Sequence, residues 1–158
     1  MSYDFSADDI FAMAEQIERN GAKFYRTAAE NITEPKAKEL LTGLAGMEDE
    51  HEKTFASIRV KLSEKEKTAT VFDPQNESAL YLSSLADARV FFEKEIDLSS
   101  MREILKAAVE AEKDSIVFYL GMKDLVADKL GKDKIETIIK EEMRHIRILS
   151  TELVALKK

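Results

Sequence analysis

The 158-residue chain has no cysteine and no tryptophan, and only two prolines, five glycines and two histidines. The missing cysteines exclude disulfides, thiolate nucleophiles, Cys-ligated zinc and Cys-ligated iron–sulfur clusters together. So few glycines and prolines supply too little turn chemistry for an all-β fold. No apolar run approaches the roughly 20 residues that a membrane span needs. The stretch from Met1 to Phe11 lacks the basic segment and apolar core of a secretory signal. Positive charge is also short, with 24 Lys and Arg against 31 Asp and Glu and a formal net charge of −7. No basic patch offsets that balance, which argues against a nucleic-acid surface. The expectation is a cytoplasmic protein whose partners are neither nucleic acid nor membrane.

What remains is 44% hydrophobic and 35% charged, the balance of a globular chain rather than a disordered one. Its length fits a single domain spanning residues 1–158. Four long stretches carry apolar residues at helical spacing, at about 7–31, 34–63, 99–126 and 132–156. Ser6 with Asp9 three residues on reads as the first N-cap, and Pro35 suits the first turn of the second helix. Ser100 with Glu103 predicts a capping box for the third, and Gly131 precedes the fourth. The links within the first and second pairs are short, so each pair forms an antiparallel hairpin. The segment at about 64–98 is long enough to climb the height of a bundle, turning at Asp73 and Pro74 and holding a shorter helix near 78–93. The predicted fold is all-α: a four-helix bundle with a long crossover between helices 2 and 3, the connectivity of ferritin-like bundles.

The inward seams are apolar except at their middles. Helix 1 runs Phe11, Ala14, Glu18, Gly21, Tyr25; helix 2 runs Leu41, Leu44, Glu48, His51, Phe55. Helix 3 runs Leu105, Ala108, Glu112, Ser115, Tyr119; helix 4 runs Ile135, Ile138, Glu142, His145, Leu149. Four glutamates and the chain's only two histidines therefore fall on core faces. A lone carboxylate in a dry core costs several kcal/mol or is neutralised by protonation. No Lys or Arg lies on these seams to compensate, whereas two divalent cations would balance four carboxylates. Glu48 with His51 and Glu142 with His145 are both i, i+3 pairs, so each pair projects from one helix face. One Glu from each of two helices plus a Glu-x-x-His pair from each of the other two is the ligand set of di-iron and di-manganese bundles, a class that the general rules for helix bundles describe.

An internal repeat strengthens this. A shift of 94 residues carries Glu18 to Glu112, Tyr25 to Tyr119, Glu48 to Glu142 and His51 to His145. Two hairpins with one ligand layout imply a pseudo-twofold axis through the metal pair. The midpoint between Glu18 and Glu48 is residue 33, in the first link, so both reach one level of an antiparallel hairpin. Tyr25 and Tyr119 read either as core aromatics or as hydroxyls bonded to a ligand carboxylate across the bundle. Glu15, Glu110 and Glu141 read as solvent-facing, the methionines as core filler, and the charged run at 61–67 as a solvated helix end. Tyr81 with Phe91 and Phe92 reads either as a dimer contact or as cover for the bundle's own core.

These motifs resemble those of the rubrerythrin branch of the ferritin-like superfamily over nearly the whole chain, including residues 78–87 of the crossover. The resemblance implies an oxo- or hydroxo-bridged pair of iron ions, for which the ligand types also suit manganese. By match, Glu48 and Glu142 would bridge, Glu18 and Glu112 would bind terminally, and His51 and His145 would each cap one metal. Rubrerythrins carry a further Glu where this chain has Ser115, and usually a four-Cys rubredoxin module that is not found here. The implied function is a non-haem di-iron oxidoreductase reacting with peroxide or O2, peroxidase- or ferroxidase-like, fed by a separate electron donor such as a rubredoxin. The alternative is an iron-binding, storage or stress protein without turnover. Related bundles imply a homodimer or higher oligomer.

Overall fold

The computed structural model describes residues 6–62, 77, 80–82, 96–126 and 131–156. Four long helices organise them: α1 (Ala7–Asn31), α2 (Pro35–Val60), α3 (Met101–Leu125) and α4 (Lys132–Ala155). These lie within three residues of the expected bounds. No described helix is long and apolar enough to cross a membrane.

The helix starts follow local chemistry. Ser6 and Asp9 form a reciprocal capping box, with the Asp9 N–H donating to Ser6 Oγ at 3.1 Å and the Ser6 N–H to Asp9 Oδ2 at 3.0 Å. Before α2, the Glu34 carboxylate accepts from the N–H groups of Lys36 and Ala37 at 3.1 and 2.7 Å, while Pro35 opens the helix without an orphaned donor. Ser100 accepts from the Glu103 N–H at 3.3 Å, but the predicted box is only half formed. The Ser100 N–H is already given to the Asp97 carbonyl at 3.2 Å, so Glu103 has no donor to return to. Gly131 precedes α4 at φ 101°, a left-handed conformation that glycine adopts without a Cβ penalty.

α1 packs along α2 and α3 along α4, and the two hairpins meet through α1 against α3 and α2 against α4. The seam residues expected to face inward are buried, except Gly21 and Ser115, which are half-buried. They form two apolar clusters rather than one. The first gathers Phe11, Phe55, Tyr119, Met122, Ile135 and Ile138 around Leu82 of the crossover. The second gathers Tyr25, Leu41, Leu44, Ile104, Leu105 and Leu149. Between them lies a buried polar layer. Each large side chain removed from water contributes about 1.5–3 kcal/mol, so the apolar ends can carry a costly middle.

Of the crossover, residues 77, 80–82 and 96–98 are described; 77 and 80–82 are helical, and 96–98 are not. Tyr81 donates to the Val117 carbonyl at 3.0 Å and covers Gly121, where an added Cβ would stand 2.9 Å from Cε1 of the Tyr81 ring. Of the two readings of Tyr81, this contact favours cover for the chain's own bundle. Phe91, Phe92 and most of the predicted short helix lie outside the described residues.

Candidate metal centre

The α-helical period places one Glu from α1, one from α3 and a Glu–His pair each from α2 and α4 at a single level. Glu18, Glu48, His51, Glu112, Glu142 and His145 are all buried there, none more than 4% exposed. Ligand atoms of Glu18, Glu48, His51 and Glu142 all lie within 4.8 Å of one another, and those of Glu48, Glu112, Glu142 and His145 do likewise. Two quartets thus share Glu48 and Glu142.

Individual atoms sharpen the division. His51 Nδ1 lies 2.8 Å from Glu142 Oε1 and 3.5 Å from both Glu48 Oε2 and Glu18 Oε2. His145 Nδ1 lies 3.2 Å from Glu142 Oε2, 3.4 Å from Glu112 Oε1 and 3.7 Å from Glu48 Oε1. Glu48 and Glu142 therefore each turn one oxygen to each histidine. Glu18 faces only the His51 side and Glu112 only the His145 side. The two imidazoles stack with centroids 5.7 Å apart and planes 19° from parallel.

Both tyrosines bond across the hairpins. The Tyr25 hydroxyl donates to Glu112 Oε1 at 2.6 Å, and the Tyr119 hydroxyl donates to Glu18 Oε1. This is the carboxylate-bonding reading of the pair, made while both rings also pack in the apolar clusters.

The protonation state follows from burial. Burial pushes all four carboxyls up, and neighbouring carboxylates add to it: Glu142 for Glu18, Glu18 and Glu142 for Glu48, Glu48 for Glu112, and Glu112 for Glu142. Glu48 rises to about 8. Burial opposes charge on the imidazoles, yet hydrogen bonding to the surrounding carboxylates outweighs it. His145 is pushed up to about 12, and His51 is also strongly raised. Burial and the nearby carboxylates hold Tyr25 and Tyr119 firmly protonated as donors. Without cations the cluster can only balance its charge by holding extra protons.

The residues fit a pair of metal ions. His51 Nδ1 and Glu142 Oε1 are buried and stand 2.8 Å apart, but they are not aligned as a well-formed hydrogen bond, so both are left facing the space a cation would take. An all-O and imidazole donor set with two shared carboxylates suits iron or manganese over softer or closed structural sites.

Two expectations are corrected. Glu141 does not simply face solvent: its Oε2 lies 2.7 Å from His51 Nε2. Position 141 follows Ile138 by three and precedes His145 by four, so it borders the buried stripe on the side of α2, a signal that the 94-residue repeat hides because its counterpart is Met47. Glu15 is buried at 9% exposure and accepts from Arg59 Nη1 at 2.8 Å, while Arg59 Nε donates to Asp8 at 2.8 Å. This ties α1 to α2 and lies outside the metal cluster. Glu110 is exposed, as expected, and Ser115 Oγ donates back to the Ala111 carbonyl at 3.0 Å.

No protein-family model matches the chain, and no curated protein matches it significantly. Among solved structures it is similar to a crystal structure from Thermotoga maritima, provisionally described as a ferritin-like diiron-carboxylate protein. The similarity covers 97% of each chain with a TM-score of 0.72 at 22% sequence identity. The fold is therefore ferritin-like, as the connectivity and seams imply.

Proposed function

We propose that the cluster is a di-iron carboxylate centre and that the protein is an oxidoreductase reacting with peroxide or O2. The observation that carries this reading is the sharing pattern: Glu48 and Glu142 each offer one oxygen to both histidine sides, while Glu18 and Glu112 each serve one. Two ions held there would have Glu48 and Glu142 as bridges, Glu18 with His51 on one, and Glu112 with His145 on the other. The description of the Thermotoga maritima protein as diiron-carboxylate supports iron, and manganese would suit the same donors.

Bound there, two redox-active ions supply two electrons together to an oxygen-based oxidant. The chain's own groups position and insulate that chemistry. Tyr119 and Tyr25 each keep a phenolic proton and donate it as a hydrogen bond, fixing the carboxylate planes of Glu18 and Glu112. The apolar clusters on both sides keep bulk water from the layer. With no cysteine in the chain, re-reduction would need a separate donor protein of rubredoxin type in a cytoplasmic setting.

Stopped-flow mixing of Fe²⁺-loaded protein with peroxide or with O2 tests the reading. Expected is oxidation much faster than in a Glu48→Ala, Glu142→Ala double variant, repeated when an external donor is supplied. Equal rates in the two proteins refute it. Fast oxidation that occurs once and never cycles with a donor assigns the chain to iron holding instead.

A further inference from the structure

We infer that the two metal positions are inequivalent and fill in order, the His51 position first, because Glu141 acts as a positioning residue for His51 and His145 has no counterpart among the described residues. The inference rests on the proposed metal pair and goes beyond it. Each histidine turns Nδ1 toward the carboxylates, which leaves Nε2 as the outward donor. On the His51 side that donor meets Glu141 Oε2 at 2.7 Å. On the His145 side Nε2 is buried and has no hydrogen-bond partner among the described residues.

The sequence explains the difference. The 94-residue repeat that pairs all six cluster residues pairs Glu141 with Met47, a side chain with no acceptor to offer an imidazole N–H. Met47 and Glu141 both line a groove of about 430 Å³ between α2 and α4, and His145 reaches it too. The groove extends along Leu40, Leu44 and Ile148, over the His145 half of the pseudo-symmetric pair.

A carboxylate on the far nitrogen of a ligating imidazole fixes its tautomer and orientation and raises its basicity, and losing such a partner typically weakens metal binding 10–100-fold. Glu141 also adds negative charge next to one cation position only. Both effects have the same sign, so the His51 position binds more tightly. The bond spans the hairpins as well, since Glu141 is on α4 and His51 on α2. Filling the first position would therefore hold the two hairpins in register before the second ion arrives.

Calorimetry with Mn²⁺ added stepwise to the metal-free full-length protein tests this, with helicity of each variant checked by circular dichroism. Expected in the unmodified protein are two binding steps separated by about tenfold or more. Glu141→Gln should weaken the tight step about 10–100-fold and leave the weak one unchanged. Glu18→Ala should strike the tight step and Glu112→Ala the weak one. Met47→Glu, which leaves Glu141 in place, should tighten the weak step and draw the two together, and it decides the matter should Glu141→Gln fail to fold. Two Mn²⁺ bound with one common affinity, or equal weakening of both steps by Glu141→Gln, overturns the inference while leaving the metal centre standing. Failure to bind Mn²⁺, Fe²⁺ or Co²⁺ at all overturns the centre itself.

Discussion

In the absence of metal ions, raising the pH should destabilise this protein by a predictable amount. In the metal-free fold Glu48 titrates at about 8 rather than at its ordinary 4.5, because burial and the carboxylates of Glu18 and Glu142 disfavour its charge. Between those two values the native state holds a proton that the unfolded state has released. Stability then falls as pH rises, by about 1.4 kcal/mol per pH unit for each such proton. The Glu48 window corresponds to a loss on the order of 5 kcal/mol, fully absent below the lower value and complete above the higher. The carboxyls of Glu18, Glu112 and Glu142 and the two imidazoles are displaced in the same upward direction, so none of them reverses the sign. From about pH 5 to about pH 8 that is about 4 kcal/mol, and for a chain of this length about 2–4 °C of melting temperature accompanies each kcal/mol, so the metal-free protein should melt about 8–16 °C lower at the alkaline end. Thermal melts by circular dichroism in chelator across that range measure it. Glu48→Gln, which removes the ionisable group at nearly constant shape, should flatten the slope and raise the melting temperature at the alkaline end. Added Mn²⁺ should stabilise most at that end, since the ions replace protons that are already leaving. A metal-free melting temperature that stays level or climbs from about pH 5 to about pH 8 would refute the charge argument on which the centre rests.

Other perturbations probe the supports around the cluster. Tyr119→Phe leaves Glu18 Oε1 buried without its donor and should cost about 1–3 kcal/mol in urea denaturation of the metal-loaded protein, with Tyr25→Phe similar through Glu112. Gly131→Ala forces a side chain into a left-handed backbone and brings Cβ to 3.0 Å from Ile58 Cδ1, so a loss of about 1–3 kcal/mol is expected in the same assay. Gly21→Ala, although its Cβ would face Glu48, meets Cγ at an ordinary 3.5 Å and should leave metal stoichiometry intact while gaining up to about 1 kcal/mol of helix stability. Loss of a metal equivalent in Gly21→Ala would mean that the layer is packed more tightly than these distances allow.

Much of the fold could be read from the chain because periodicity and chemistry conflict at one level only. Glu18, Glu48, Glu112 and Glu142 interrupt seams that are otherwise apolar, and the 94-residue repeat fixes which interruptions belong together. Relations that break the repeat, or that depend on a partner far along the chain, were not visible in the same way. Glu141 serves a histidine 90 residues away on the other hairpin, and the repeat puts Met47 in its place. Glu15 is buried because Arg59, 44 residues on, reaches back to it, and nothing within one helix turn of Glu15 announces that partner. The missing half of the Ser100 box has a similar cause, since the turn before α3 lends the Asp97 carbonyl to the donor that Glu103 would need. Helical spacing reports which face a residue takes, whereas these details depend on what stands opposite.

The polar layer also explains how the hairpins are joined. α1 lies along α2 and α3 along α4, but between hairpins the helices touch over far fewer residues. At the cluster the bonds run the other way: Tyr25 of α1 to Glu112 of α3, Tyr119 of α3 to Glu18 of α1, and Glu141 of α4 to His51 of α2. Glu142 of α4 also stands 2.8 Å from His51 of α2. The costliest groups in the core are therefore the ones that link the two halves, and neither half alone has a complete quartet, since each quartet draws on Glu48 from the first hairpin and Glu142 from the second. A cation bound in either quartet would be held by both hairpins. Charge neutralisation and hairpin docking then become one event, which is a physical reason for a stable bundle to keep six ionisable side chains where apolar ones would pack at lower cost.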